Sequence, residues 1–306
     1  MEKIKVAITT RTNLNEKMLD EAFEVIENPM LADFIIAQST VDYKQLLHKT
    51  IYVAVEPPLA DHRLWCYSQF DKFHTVIAHN PDTEKDNQFP FTDSDEPQYY
   101  PTRPDPSVIP QYIREDTTIG ERGVFYAGMI GPYEGQPNLF GGVNLTKIRR
   151  ILGDEFNKNP ASRIIGIGRN GQSTKVGNWR VDKSNNIKES DCDFVLALEN
   201  TMLPNYLYEK VWDGFASDRV TLYLGDPRVD KHIPSNCFVD LRPFFDKETG
   251  DIDTVSISQI VEYMPQDIYD SILKNARIFR ETTKGRHQEL QNKLTQLIID
   301  RINSGV

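Results

Sequence analysis

The sequence predicts an α/β protein of two domains, and three observations carry that expectation. Short apolar, β-branched runs alternate with longer stretches of helical periodicity, the pattern of open sheets with helices on their faces. A length of 306 residues is enough for two domains that each bury a core. Between residues 80 and 118 the periodicity fails, with seven prolines among Asp, Glu, Thr and Tyr, as in a functional loop or an interdomain connection.

The expected strands are 4–10, 32–38, 50–56, 75–79, 123–130, 163–168, 194–200, 220–225 and 237–241, each a short run rich in Val, Ile and aromatic residues. Helical spacing predicts helices over 14–27, 143–157, 205–216 and 254–264. From 265 onward the chain reads as one or two amphipathic helices interrupted near Gly285. With a boundary at the end of the proline-rich segment, the expected organisation is an N-terminal domain over 1–118 that includes the loop 80–118, a C-terminal domain over 119–265, and a helical tail over 266–306.

Composition narrows the function. With 35 Lys+Arg against 45 Asp+Glu, net −10, the chain has no basic field for a nucleic-acid backbone or an anionic membrane. The apolar run at the N-terminus breaks after a few residues, and no later run approaches the ~18 apolar residues of a membrane span. Cys66, Cys192 and Cys237 show no paired spacing, so neither a disulfide framework nor a zinc site is expected. These features predict a cytoplasmic protein acting on small or neutral partners.

Two stretches carry chemistry. Gly166-Ile-Gly168-Arg169-Asn-Gly171 matches the glycine pattern of a dinucleotide turn, but such a turn must open a helix directly. Here "QSTKVGNWRVDKSNN" follows, a segment without a 3.6-residue apolar stripe. What remains is a glycine loop at a strand end carrying Arg169, whose fork of donors suits phosphate oxygens. The second stretch runs from 193 to 241. A buried strand ends at Glu199-Asn200, Pro204 marks a turn, and a helix is expected to begin near Asn205. On it Leu207, Val211 and Phe215 share one face, and Tyr206, Glu209, Lys210 and Asp213 the other. A Glu-Lys pair on a helix is ordinarily a solvated surface feature. This one sits just past a strand's carboxyl end, where ligands bind in open α/β sheets.

These residues resemble the α-1,3/4-fucosyltransferases of glycosyltransferase family 10. The likeness rests on Leu198-Glu199-Asn200-Thr201, then Tyr206-Leu207-Tyr208-Glu209-Lys210, then Leu222-Tyr223-Leu224-Gly225 and "IPSNCFVDL", with "KVGN" at 175–178 and the Arg169-Asn170 pair upstream. It is specific over 163–241. In the first half only "YVAVEPP" at 52–58 is similar, to the family's strand ending in a catalytic glutamate. Tyr208 stands where the family usually has Thr, and the loop 129–142 has no counterpart.

The resemblance implies a GT-B-like fold, two Rossmann-like domains facing across a cleft, and a soluble bacterial or viral enzyme. It implies inverting transfer of fucose from GDP-fucose to a hydroxyl of a glycan acceptor. Glu56 would be the general base, Arg169 and Lys210 would neutralise the diphosphate, Asn200 and Glu209 would bind sugar hydroxyls, and Tyr206 would pack on nucleotide or sugar. With two cations on the leaving group, neither a metal nor a cofactor is expected beyond the sugar nucleotide itself. His62, His74 and His79 are rival bases. Two alternatives stay open: the same fold using another sugar nucleotide such as a UDP-sugar, and a non-catalytic nucleotide- or carbohydrate-binding protein.

Overall fold

A computed structural model describes residues 3–9, 14–38, 41, 43–54, 69–78, 84–90, 122–128, 142–166, 187, 190–204, 206–283 and 285–304. The chain divides into two compact units, Met1–Gln98 with Gly285–Val306, and Tyr99–Lys284.

The first unit is built on β1 (Lys5–Ile8), α1 (Glu16–Ala22), β2 (Glu24–Ile26), β3 (Phe34–Gln38), β4 (Thr50–Ala54), β5 (Thr75–Ala78) and β6 (Gln88–Pro90). All pairings are parallel, in the order β2-β1-β3-β4-β5-β6. Alternation along β4 divides two cores. Ile51 and Val53 pack with Val6, Ile36 and Ile77 on one face, while Tyr52 and Ala54 join Phe70, Phe73 and Val76 on the other.

The expected helix over 14–27 is shorter than its pattern. Asn15 caps it by accepting from the Met18 N–H. Phe23 leaves it in an extended conformation, and the β-branched Val25-Ile26 pair with β1 as an edge strand instead. β6 lies inside the proline-rich segment, pairing its Gln88 to Val76 and Phe89 to Ile77. A proline at an edge-strand terminus costs the sheet no central ladder bond.

The second unit holds β7 (Val124–Gly128), β8 (Val143–Asn144), α2 (Thr146–Phe156), β9 (Arg163–Gly166), β10 (Phe194–Leu198), β11 (Thr201–Met202), α3 (Glu209–Ala216), β12 (Val220–Leu224), β13 (Val239–Asp240), α4 (Thr254–Tyr263) and α5 (Gln266–Thr282). Its parallel sheet runs β13-β12-β10-β7-β9. Leu196, Leu198, Leu222 and Leu224 face a core shared with Ile148 and Leu152 of α2, Ile257 and Val261 of α4, and Tyr269 and Leu273 of α5. α3 covers the sheet over β10 and β12. Its Gly214 permits this, because a Cβ there would stand 2.1 Å from Thr221 Oγ1.

The expected tail over 266–306 is shared between the units. α5 is bound to the second unit: Tyr269 donates its hydroxyl proton to the Asp193 carbonyl, Arg280 donates to the Phe215 carbonyl, and Trp212 stacks on Phe279. The chain then turns at Gly285, whose φ of +84° is open to glycine without strain. Beyond it α6 (Arg286–Ser304) returns to the first unit. There Leu294, Ile298, Ile299 and Ile302 bury against Leu19 and Val6, and Asn15 bonds both Thr295 and Asn292. Among the described residues no helix is long and apolar enough to cross a membrane.

Candidate active site

The candidate site is built where β10 ends. Its five residues are all buried and apolar, and the next residue, Glu199, is a carboxylate with no exposed surface. A buried ionised group is costly unless paired, and Glu199 is paired on both oxygens. Oε1 accepts from the Tyr208 N–H at 2.8 Å, and Oε2 accepts from Lys210 Nζ at 2.9 Å. Lys210 also lies 3.4 Å from Glu209 Oε1, so one ammonium is shared by two carboxylates.

The strand end itself is held from beneath. Arg149 of α2, itself buried, donates Nη2 to the Leu198 carbonyl and Nε to the Glu199 carbonyl. On the adjoining strand end, Gly225 leaves room for Glu199. A Cβ there would meet the Tyr223 hydroxyl at 2.3 Å and Glu199 Cγ at 2.4 Å.

These contacts explain why the helix starts later than its sequence pattern suggests. Tyr206 and Leu207 precede α3, and Tyr208 is its extended N-cap. Tyr208 has no capping side-chain bond. The structure uses Glu199 at this terminus, nine residues earlier in the chain. Tyr206 is consequently not on the helix face expected for it. It is buried, with its ring parallel to that of Tyr208 at 6.1 Å between centroids. Asp213, expected on the polar face, is buried as well.

The electrostatics follow from the packing. Burial works against the Lys210 ammonium, but Glu199 and Glu209 outweigh it and hold its pKa above the ordinary lysine value. Burial pushes the Glu199 carboxyl up, and Lys210 offsets part of that rise. Burial likewise raises the Tyr223 phenol well above its usual value, with Glu199 adding to the effect.

The structure therefore brings Asn200, Tyr206, Glu209 and Lys210 to one strand-end patch, where Asn200 Nδ2 approaches the Tyr206 hydroxyl at 3.5 Å. Glu56 and Arg169 lie outside the described residues, as do His62 and His79. The rival base His74 is described: its Nδ1 lies 2.9 Å from Thr75 Oγ1, its ring meets Phe34 edge-on, and burial lowers its pKa. Sequence reasoning did not single out Glu199 or Arg149 as site residues. The available signal was an acidic residue directly after an all-apolar strand, with a glycine ending the neighbouring strand.

Residues 155–250, which contain this whole patch except Arg149, match the family described as Glycosyltransferase family 10 (fucosyltransferase) C-term. Over this segment the chain is similar to a glycosyltransferase family 10 domain. It is accordingly a glycosyltransferase. Solved structures agree in fold. One is an α1,3-fucosyltransferase crystallised with GDP-fucose, 17% identical, with a TM-score of 0.53 over 90% of this chain and 82% of that one. Another is an α1,3-fucosyltransferase with GDP, 15% identical, with a TM-score of 0.54 over 98% and 91%. The fold class is thus GT-B-like, with each α/β unit formed around its own parallel sheet. No curated protein matches the chain in sequence.

Proposed function

We propose that this glycosyltransferase transfers fucose from GDP-fucose to a hydroxyl of a glycan acceptor, with inversion at the sugar carbon. The observation that carries the reading is the pairing of buried Glu199 with Lys210 at the end of β10, inside the segment that matches family 10. An ammonium fixed at a strand end suits the charge that develops on a departing diphosphate. Lys210, together with Arg169 of the glycine loop, would meet that charge without a metal. Asn200 and Glu209 would bind sugar hydroxyls. Tyr206, buried beneath Tyr208, would support the ligand's surroundings. Glu56, two residues past the end of β4 in sequence, would take the acceptor proton. The reading places the enzyme in the cytosol, in keeping with Cys192 and Cys237, which are buried free thiols.

Tyr208 favours one second reading, a different donor sugar. A partly exposed aromatic ring at the N-cap of α3, with Lys210 Nζ 5.6 Å from its centroid, gives the sugar side of the patch a bulk that the family's usual Thr lacks.

The test is incubation with a panel of sugar nucleotides, including GDP-fucose, GDP-mannose and UDP-glucose, while following release of the nucleotide. Release of GDP from GDP-fucose above the other donors is expected. Turnover of a UDP-sugar alone would move the assignment to another donor. Binding with no turnover, with or without glycan acceptors, would leave a binding protein.

A further inference from the structure

Glu199 is given no contact with the ligand in the reading above, yet both of its carboxylate oxygens are held. Its carboxylate bridges two parts of α3, the N-cap backbone at Tyr208 and the side chain of Lys210. Its Cγ fills the space left by Gly225, and its own carbonyl is gripped by Arg149. A lysine has four rotatable bonds and a strongly hydrated head, so an unheld ammonium would sample many positions over a strand end. This one has 13% of its side-chain surface exposed. Of its three N–H donors, one is committed to Glu199, and Glu209 stands within reach of a second.

We propose that Glu199 is a positioning residue: it pins the Lys210 ammonium and the first turn of α3 in one place, so that the remaining N–H meets a nucleotide diphosphate oxygen without reorganisation. The proposal rests on the nucleotide-donor reading and deepens it. Preorganised donors of this kind are effective because their ordering is complete before the ligand arrives. Glutamine cannot replace Glu199. Its amide offers one acceptor oxygen, whereas the site requires acceptance from both Tyr208 N–H and Lys210, so one donor faces the amide NH2.

The test is a double-mutant cycle on GDP affinity, read by calorimetry, over Glu199→Gln, Lys210→Met and both together. Each single change should weaken GDP binding by about tenfold or more, the scale of one charge-assisted hydrogen bond. In the Lys210→Met background Glu199→Gln should add almost nothing, because its effect passes through Lys210. Additive losses would overturn the proposal in favour of a general structural role, and so would unchanged affinity in Glu199→Gln. If GDP fails to bind the wild type, the donor reading itself fails and this proposal goes with it. Binding that Lys210→Met weakens and Glu199→Gln does not leaves the donor reading standing and removes this proposal alone. Should Glu199→Gln not fold, the wild type supplies a second measurement by NMR of ¹³Cε-labelled lysine. Two distinct Hε signals for Lys210 are expected before any nucleotide is added, and one motionally averaged signal would contradict a pinned ammonium.

Discussion

Lys210 and Glu199 meet at 2.9 Å, joining the first turn of α3 to the end of β10, with the Glu199 side chain fully buried and 13% of the Lys210 side chain exposed. The ammonium is the cation that the proposed donor site needs. Replacing Lys210 with Ala should weaken GDP binding by about 1.5–3 kcal/mol. Glu199, already raised by burial, can take a proton in the variant, which limits the loss of fold stability.

Gly225→Ala tests the packing around the carboxylate. The added methyl would stand inside contact distance of both the Tyr223 hydroxyl and Glu199 Cγ. An unfolding free energy lowered by about 1–3 kcal/mol, read as a lower denaturant midpoint, is expected, the range for overpacking a close-packed site. GDP affinity should fall with it. An unchanged midpoint would mean that Glu199 has another place to go.

Most of the fold was legible because its strands are short apolar runs and its helices keep a 3.6-residue stripe. The parts that were not legible depend on partners distant in sequence. The pattern over 14–27 runs on past Phe23, and only pairing with β1 turns Val25 and Ile26 into a strand. The amphipathic face of α6 announces burial, but the sequence does not say that Leu19 and Val6 of the other end of the chain will cover it. At the site, Lys210 and Glu209 stood out as a charged pair on a helix, while Glu199 read as the last residue of a strand. Tyrosine is not a preferred N-cap. Its place there becomes intelligible once Glu199 is seen accepting from its backbone.

Acid should weaken the fold through His287. Burial depresses this imidazole from 6.5 to about 4, so between those values the folded chain keeps it neutral while the unfolded chain binds a proton. Stability from this group is present above pH 6.5 and is lost as pH falls toward 4. Thermal midpoints measured across that window should decline more steeply for the wild type than for His287→Gln. Parallel declines would assign the acid sensitivity to other groups.

Metal independence follows from the proposed pairing of the leaving group with side chains. Transfer should survive excess EDTA. Loss of activity with recovery on adding manganese would require a metal on the diphosphate and displace Lys210 from that role.

Glu56→Gln separates the two halves of the reaction. A general base acts on the acceptor, so donor affinity should be kept while turnover falls by roughly 10² to 10⁴. Near wild-type turnover would place the base elsewhere, with His62 and His74 next to be tested.

The proposed function requires a nucleotide diphosphate to bind at the Glu199–Lys210 strand end. Calorimetric titration of GDP into the wild type and Lys210→Ala, side by side at one salt concentration, tests it most directly. Saturable binding to the wild type is expected, weakened by about tenfold or more in the variant. Equal affinity in the two proteins would contradict it.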